Sequence, residues 1–404
     1  MKVKIEEKQL AVFILTTGLV LNYIVDGVNK VCSIYLPILS RSAIIYRALL
    51  QILCIVIIVL FVNKKRVSWL LSFLFFLACF FISNLYLKYI VGIDVYLIEQ
   101  FIYFNKYFFI FFLFFATYKV LAESSYLEKF IEVFKKVFLF NGFLALVGAL
   151  LSIKAFFIVP EGPSASRFGY DGLIISGNEA SIFYLLGLFV IYKDWRFKKR
   201  GFNFFLLAIV FCFLTGMKAV LLGMALLFFY HLFTTISIKK LIGIFSLMSA
   251  MFLTLFLYAP KIRDLFGYYF YFLKEKGFVF MFTGGRNTLI DSRVLPFLEN
   301  WDIINYLIGG QNISNIEDFL SLTEMDIIDL FLFFGVINGV LFLLLYKTQI
   351  VSKVKNTFYL FCVGVFILLA FFAGHFFTSS VNPIYIIVAF AYLNENTDGI
   401  IRKT

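Results

Sequence analysis

Apolar runs, most of them about 20 residues long, repeat along almost the whole chain with short polar breaks between them. A run of that length crosses a ~30 Å hydrocarbon core as a helix. The pattern predicts spans near 9–25, 42–62, 67–87, 101–118, 137–158, 180–192, 202–215, 219–234, 241–259, 326–346, 357–373 and 382–393. These are twelve, so the expected fold class is an all-α polytopic integral membrane protein with a single transmembrane domain over 1–404. A transmembrane barrel would need shorter segments alternating apolar and polar, and the sequence has none.

One polar interval breaks this rhythm. Residues 260–325 carry Lys261, Arg263, Lys274, Lys276, Arg286 and Arg293 and close on Glu324, Asp326 and Asp329. A chain that buries most of itself in lipid and keeps one long charged segment outside is expected to use it. The other breaks fix orientation. Between the predicted spans, 22 lysines and arginines fall on one side and 11 on the other, which places both termini in the cytoplasm and the 260–325 loop with the shorter 160–180 loop on the outer face. Arg47, Lys106 and Lys218 lie within or at the edge of spans. Arg47 and Lys106 suit a transport pathway better than a site at one face.

Composition strengthens the membrane assignment: 62% of residues are hydrophobic and 15% charged, with mean hydropathy +0.95, outside the range of soluble globular domains. The 57 phenylalanines partition well into lipid and are read as composition. The formal charge of +12 sits in short clusters between spans, where it sets topology, and does not indicate nucleic acid. Lys2, Lys4 and Lys8 precede the first run, but no small-residue cleavage site follows, so it reads as an uncleaved span. Residues 120–136 place Leu127, Phe130, Ile131 and Phe134 at helical spacing, which fits an interfacial helix or an extension of the next span equally well. Five scattered cysteines and two histidines offer no metal-ligand spacing.

Polar groups converge on the predicted outer face from several segments. Arg167 is the sole cation of its loop, suited to an anion or to anchoring at the interface. Gly177 and Asn178 suit a turn into the next span, with Asn178 as a candidate cap beside Glu179. Gly284 and Gly285 next to Arg286 let backbone and guanidinium approach a phosphate, although paired glycines are also ordinary turn chemistry. Asp326 fits a helix N-terminus through the dipole, whereas Asp329 lies further in and is expected to face the bundle or an aqueous cavity. Lys218 sits at a tight turn, and His375 at the end of the eleventh span.

The order of these pieces resembles the O-antigen polymerase and O-antigen ligase superfamily of bacterial polysaccharide assembly. The pieces are Arg167-Phe168-Gly169, Gly177-Asn178-Glu179, Thr215-Gly216-Met217-Lys218-Ala219, Gly284-Gly285-Arg286-Asn287, Glu324 to Asp329, and Gly374-His375, over roughly residues 160–380. Family members usually have Asn-Pro-Asn at the second piece and Thr-Gly-Ser-Arg at the third. The resemblance implies a membrane C-class glycosyltransferase fold that acts on undecaprenyl-diphosphate-linked oligosaccharide, within membrane lipid, with no metal and no cofactor. It implies Arg167, Arg286 and Arg293 with Lys218 as diphosphate-binding groups and Glu324, His375 and Asp329 as candidates for catalysis. Ligases typically carry a histidine where Glu324 stands, so a repeat-unit polymerase of the bacterial inner membrane is the first expectation. A ligase acting on a lipid A core, and a transporter or flippase of lipid-linked sugars, are the alternatives. A chain-length regulator and a flippase are the implied partners.

Overall fold

The computed structural model describes residues 6–35, 42–92, 95–157, 169–174, 176–235, 274–280, 285–299, 301–310, 323–351, 353–372 and 374–395. The apolar runs within them are helices: α1 (Glu7–Tyr35), α2 (Ser42–Leu60), α3 (Lys64–Tyr86), α4 (Leu97–Leu121), α5 (Ser124–Leu151), α6 (Gly177–Lys198), α7 (Phe202–Leu214) and α8 (Lys218–Thr235), then a short α9 (Ile303–Ile308) inside the polar interval and, after it, α10 (Asp326–Tyr346), α11 (Thr357–Phe372) and α12 (Pro383–Leu393). Among the described residues the only β pairing is an isolated bridge between Phe157 and Tyr170. Among the described residues seven helices are long and apolar enough to cross a membrane, and α7, α11 and α12 are shorter apolar helices. The expected span at 241–259 lies outside the described residues, as do residues 260–273, 281–284, 300 and 311–322 of the 260–325 loop.

Two helices form the interior. In α6 every residue from Glu179 to Lys193 is buried, as expected of a helix that is apolar on all sides. On α4, Phe104, Tyr107, Phe108 and Phe111 are fully enclosed and pack edge-to-face against Phe334 and Phe342 of α10. The peripheral helices α2 and α3 instead expose Ile44, Ile45, Leu49, Leu71, Leu74 and Phe75. So large an unbroken apolar surface belongs in lipid.

Charges tie one end of the bundle together. Asn63 caps α3 by accepting from the Lys65 and Arg66 amides. The fully buried Arg66 guanidinium donates to the Phe115 carbonyl at 2.9 Å and pairs with Glu7 at 2.7 Å, and Lys119 reaches the same carboxylate at 2.6 Å. The start of α1, the start of α3 and the end of α4 therefore meet. Residues 124–136 of the 120–136 segment are the first part of one continuous α5, and Leu127, Phe130, Ile131 and Phe134 are buried in the protein. Of the two readings of that segment, the extension of the next span is the observed one.

α10 carries an irregularity at Gly335 (φ 74°, ψ −179°). The Gly309-Gly310 corner after α9 fits into it: the Gly310 amide donates to the Leu332 carbonyl at 3.1 Å, and a Cβ on Gly335 would stand 2.5 Å from the Gly309 nitrogen. That contact locks the end of the polar interval onto the bundle.

Candidate functional site

At the opposite end of the bundle from the Arg66–Glu7 pair, α11 and α12 are joined by a strap, residues 374–382, that has no regular secondary structure and is largely buried. Buried backbone outside a helix must find partners for its amides and carbonyls. Two carboxylates from the first turns of other helices supply them. Asp326, the first residue of α10, accepts from the His375 amide at 2.6 Å, the Phe377 amide at 2.7 Å and the Thr378 hydroxyl at 3.2 Å. Glu179, in the first turn of α6, accepts from the Ser379 hydroxyl at 2.8 Å, the Ser380 amide at 3.2 Å and the Val381 amide at 2.9 Å. The strap's far end is fixed by Asn22, which donates to the Val381 carbonyl at 2.7 Å, and by Asn382, which donates to the Glu179 carbonyl at 2.9 Å. Charge-assisted bonds of this kind are the stronger class.

The near end of the strap carries the candidate chemistry. Gly374 and His375 both have left-handed backbone (φ 65° and 66°), and so does Glu324 (φ 56°). A Cβ on Gly374 would stand 2.5 Å from the Glu324 carbonyl oxygen, so the two segments touch through backbone. Non-glycine residues held at positive φ cost of order 1–3 kcal/mol each and cluster at functional sites. The short helix Arg286–Leu289 follows Gly285 (φ 89°). Its first residue, Arg286, pairs with the Glu324 carboxylate at 2.7 Å and donates to the Phe372 carbonyl at 3.0 Å, the last residue of α11. Arg286, Glu324 and His375 thus gather at one corner. Asp326, beneath them, lies within electrostatic range of His375.

The carboxylates of this corner differ in availability. Asp326 and Asp329 are each 2% exposed. Asp329 accepts from the Thr323 amide at 2.9 Å and hydroxyl at 3.1 Å, which fixes the turn that presents Glu324. The Glu324 side chain is 53% exposed. Of the three, only Glu324 is open to a ligand, and Asp326 and Asp329 act as supports.

Other residues singled out in the sequence fall as follows. Ser176 occupies the N-cap position of α6 without a side-chain capping bond, so Asn178 stands inside the first turn and not at the cap. Lys218 opens α8 and is exposed. It lies at the same end as Glu179, because the Ser181 hydroxyl donates to the Met217 sulfur at 2.9 Å. Arg167 lies outside the described residues, as does the Arg293 side chain. Among the described residues no group of three histidine, cysteine or carboxylate side chains is placed to hold a metal ion.

The structure adds residues that the sequence did not bring together. Arg47 on α2 pairs with the buried Asp26 of α1 at 2.8 Å and donates to the Ser380 hydroxyl at 2.9 Å. Lys106 on α4 lies within electrostatic range of Glu179 and Arg47. Arg47 therefore stands at the strap. Further out, Lys30 of α1 pairs with Asp171 and donates to the Gly172 carbonyl at 2.8 Å. Asn141 of α5 accepts from the Tyr23 hydroxyl and the Leu173 amide and donates to the Asp171 carbonyl. Burial pushes the Asp171 carboxyl up to about 6, against the pull of Lys30. Fully enclosed, this pair has no access to a ligand and clamps the segment before α6 onto α1. The signal for Asp26 and Lys30 was present in the sequence as an acid and a base four apart on one helix face. Compared with protein-family models, curated proteins and solved structures, the chain finds no match.

Proposed function

We propose that the chain is a polysaccharide repeat-unit polymerase, and the observation that carries this reading is the meeting of Arg286, Glu324 and His375 at the head of a buried strap. In this reading the bundle crosses a bacterial cytoplasmic membrane about twelve times with both termini cytoplasmic, and the strap and the 260–325 loop face outward. The membrane C-class glycosyltransferase architecture implied by the sequence resemblance is part of the same proposal.

The chemistry fits the groups available. A growing glycan arrives as a glycosyl ester of undecaprenyl diphosphate. Glu324 takes the proton from a hydroxyl of the acceptor sugar, and the oxygen attacks the anomeric carbon of the donor. The bond from that carbon to the phosphate oxygen breaks, and undecaprenyl diphosphate leaves with the extra negative charge. Arg286 stabilises that charge through a two-pronged contact, assisted by Arg167, Arg293 and Lys218. His375 is the second candidate for the base. In the free protein Arg286 pairs with one oxygen of the half-exposed Glu324 carboxylate, and a diphosphate that draws the guanidinium away releases that oxygen. The lipid tail requires a laterally open groove between helices.

The test is the length distribution of polymer made by Arg286→Ala in cells. Loss of long chains, with the variant present in the membrane at normal level, supports the proposal. Normal chain length would sink it. Transfer of finished glycan to a lipid A core by the purified protein, with no lengthening of lipid-linked units, would identify a ligase instead.

A further inference from the structure

We infer that the cavity where α3, α4 and α9 meet α10 is a binding site for a buried water molecule, held between Asn84 and Asn338.

The cavity is small and largely enclosed. Ser83 and Asn84 of α3, Gln100 of α4, Ile308 of α9 and Phe333 and Asn338 of α10 line it, and its room is that of about one water. A space of this size walled by phenylalanine and isoleucine alone would stay dry. Here the polar side chains of Ser83, Asn84, Gln100 and Asn338 are buried in the wall.

Asn84 and Asn338 carry atoms that the protein leaves unsatisfied. The Asn84 Nδ2 donates to the Phe80 carbonyl one turn back at 2.8 Å, which leaves Oδ1 as the group still to be met. That oxygen finds no donor, although Asn84 is only 7% exposed. The Asn338 Nδ2 finds no acceptor, although Asn338 is only 2% exposed. The Cys79 thiol that interacts with Asn338 is a weak partner. A buried donor or acceptor left unmade costs its full desolvation, so such atoms point to a partner that the chain itself does not supply.

The two atoms select the ligand. A cation would suit Oδ1 but is repelled by the Nδ2 hydrogens. An anion would suit Nδ2 but meets the lone pairs of Oδ1. Among the described residues no carboxylate, lysine or arginine lines the cavity to favour either. Water satisfies both amides, because it donates to Asn84 Oδ1 and accepts from Asn338 Nδ2. Its second hydrogen is taken by the Ser83 oxygen, whose own proton goes to the Gly309 carbonyl at 3.1 Å. That makes about three partners, the usual complement of a buried water. Through Ser83 the site is continuous with the Gly309-Gly310 corner, so the water completes the joint between α3, α10 and the end of the polar interval.

The test is an experimental structure of the full chain at a resolution that shows waters, together with a double-substitution cycle in one detergent. Density for a single water within about 2.7–3.2 Å of Asn84 Oδ1 and Asn338 Nδ2 is expected. In thermal melts Asn84→Leu and Asn338→Leu are each expected to lower the melting temperature by several degrees, because each strips the water of a partner and leaves the other amide unsatisfied. The double substitution is expected to cost clearly less than the sum, since both amides go together. The sign is decisive. If the amides share no water, each single substitution removes an unsatisfied buried atom, the variants melt at or above wild type, and their effects add. That result overturns the inference, as does a wild-type cavity that is dry or holds a larger molecule. Should a leucine variant fail to fold, Asn84→Ala and Asn338→Ala carry the same cycle with the same expected coupling. Glycan extension enters none of these measurements, so their outcome is separate from that of the polymerase proposal.

Discussion

The Arg286 guanidinium stands 2.7 Å from the Glu324 carboxylate across 38 residues of chain. The glutamate side chain is half exposed and the arginine less so. An ion pair that open to solvent contributes at most about 1 kcal/mol to stability. Its geometry is therefore better explained by what it does to the carboxylate than by what it adds to the fold. Removing either charge is expected to spare the structure and remove the chemistry.

Glu324→Gln keeps the size and a hydrogen-bonding oxygen but cannot take a proton. Chain extension by the purified enzyme is expected to fall by about 10²–10⁴-fold, the contribution typical of a positioned general base, with the melting temperature unchanged within about 2 °C. If the glutamine variant extends chains at more than about a tenth of the wild-type rate, His375 becomes the base, and His375→Ala is then the variant that loses activity.

In the sequence Glu179 reads mainly as a residue of a helix start. Its carboxylate instead accepts two amides and a hydroxyl of the strap, 200–202 positions away in the chain. Glu179→Ala leaves those donors buried without an acceptor, which costs about 1–3 kcal/mol for each donor left unmade. A fall of several degrees in melting temperature and faster proteolysis within 374–382 are the expected results. Glu179→Gln, which keeps one acceptor oxygen, loses less. Equal stability of Glu179→Ala and wild type would show that the strap does not depend on this carboxylate.

Gly335 and Gly364 make a paired prediction. At Gly335 a Cβ would meet the Gly309 and Ile308 nitrogens at 2.5 and 2.6 Å, in backbone with φ 74° that side chains rarely adopt. Gly335→Ala is expected to destabilise by about 3 kcal/mol or more, combining strain with the loss of the α9 contact. At Gly364, inside α11, nothing lies within 4 Å of the added carbon. Gly364→Ala is expected to be neutral or to stabilise by up to about 1 kcal/mol. Thermal melts of both variants in one detergent decide the matter, and a Gly335→Ala protein as stable as Gly364→Ala would contradict the packing described.

Local features of the chain were enough for the class and for most of the helices. Hydropathy over about 20 residues reports the solvent of a helix directly, because a span must be apolar along its whole length. The sequence also marked Glu324, His375, Arg286 and Asp326 as groups at helix ends, since charges interrupt an apolar run visibly. It did not show that Asp326 and Glu179 hold the same strap, or that Arg47 reaches Ser380 across 333 positions. Those partners are chosen by which helix faces pack together. In a chain where nearly every face is Phe, Leu or Ile, the apolar pattern that places helices in a membrane carries little information about their neighbours. Arg47, which suits a transport pathway in the sequence, is brought to the strap by that packing alone. The sequence determined which residues are charged within a membrane bundle, and the tertiary structure decided which of them share a site, because only packing brings distant helix ends within hydrogen-bonding distance.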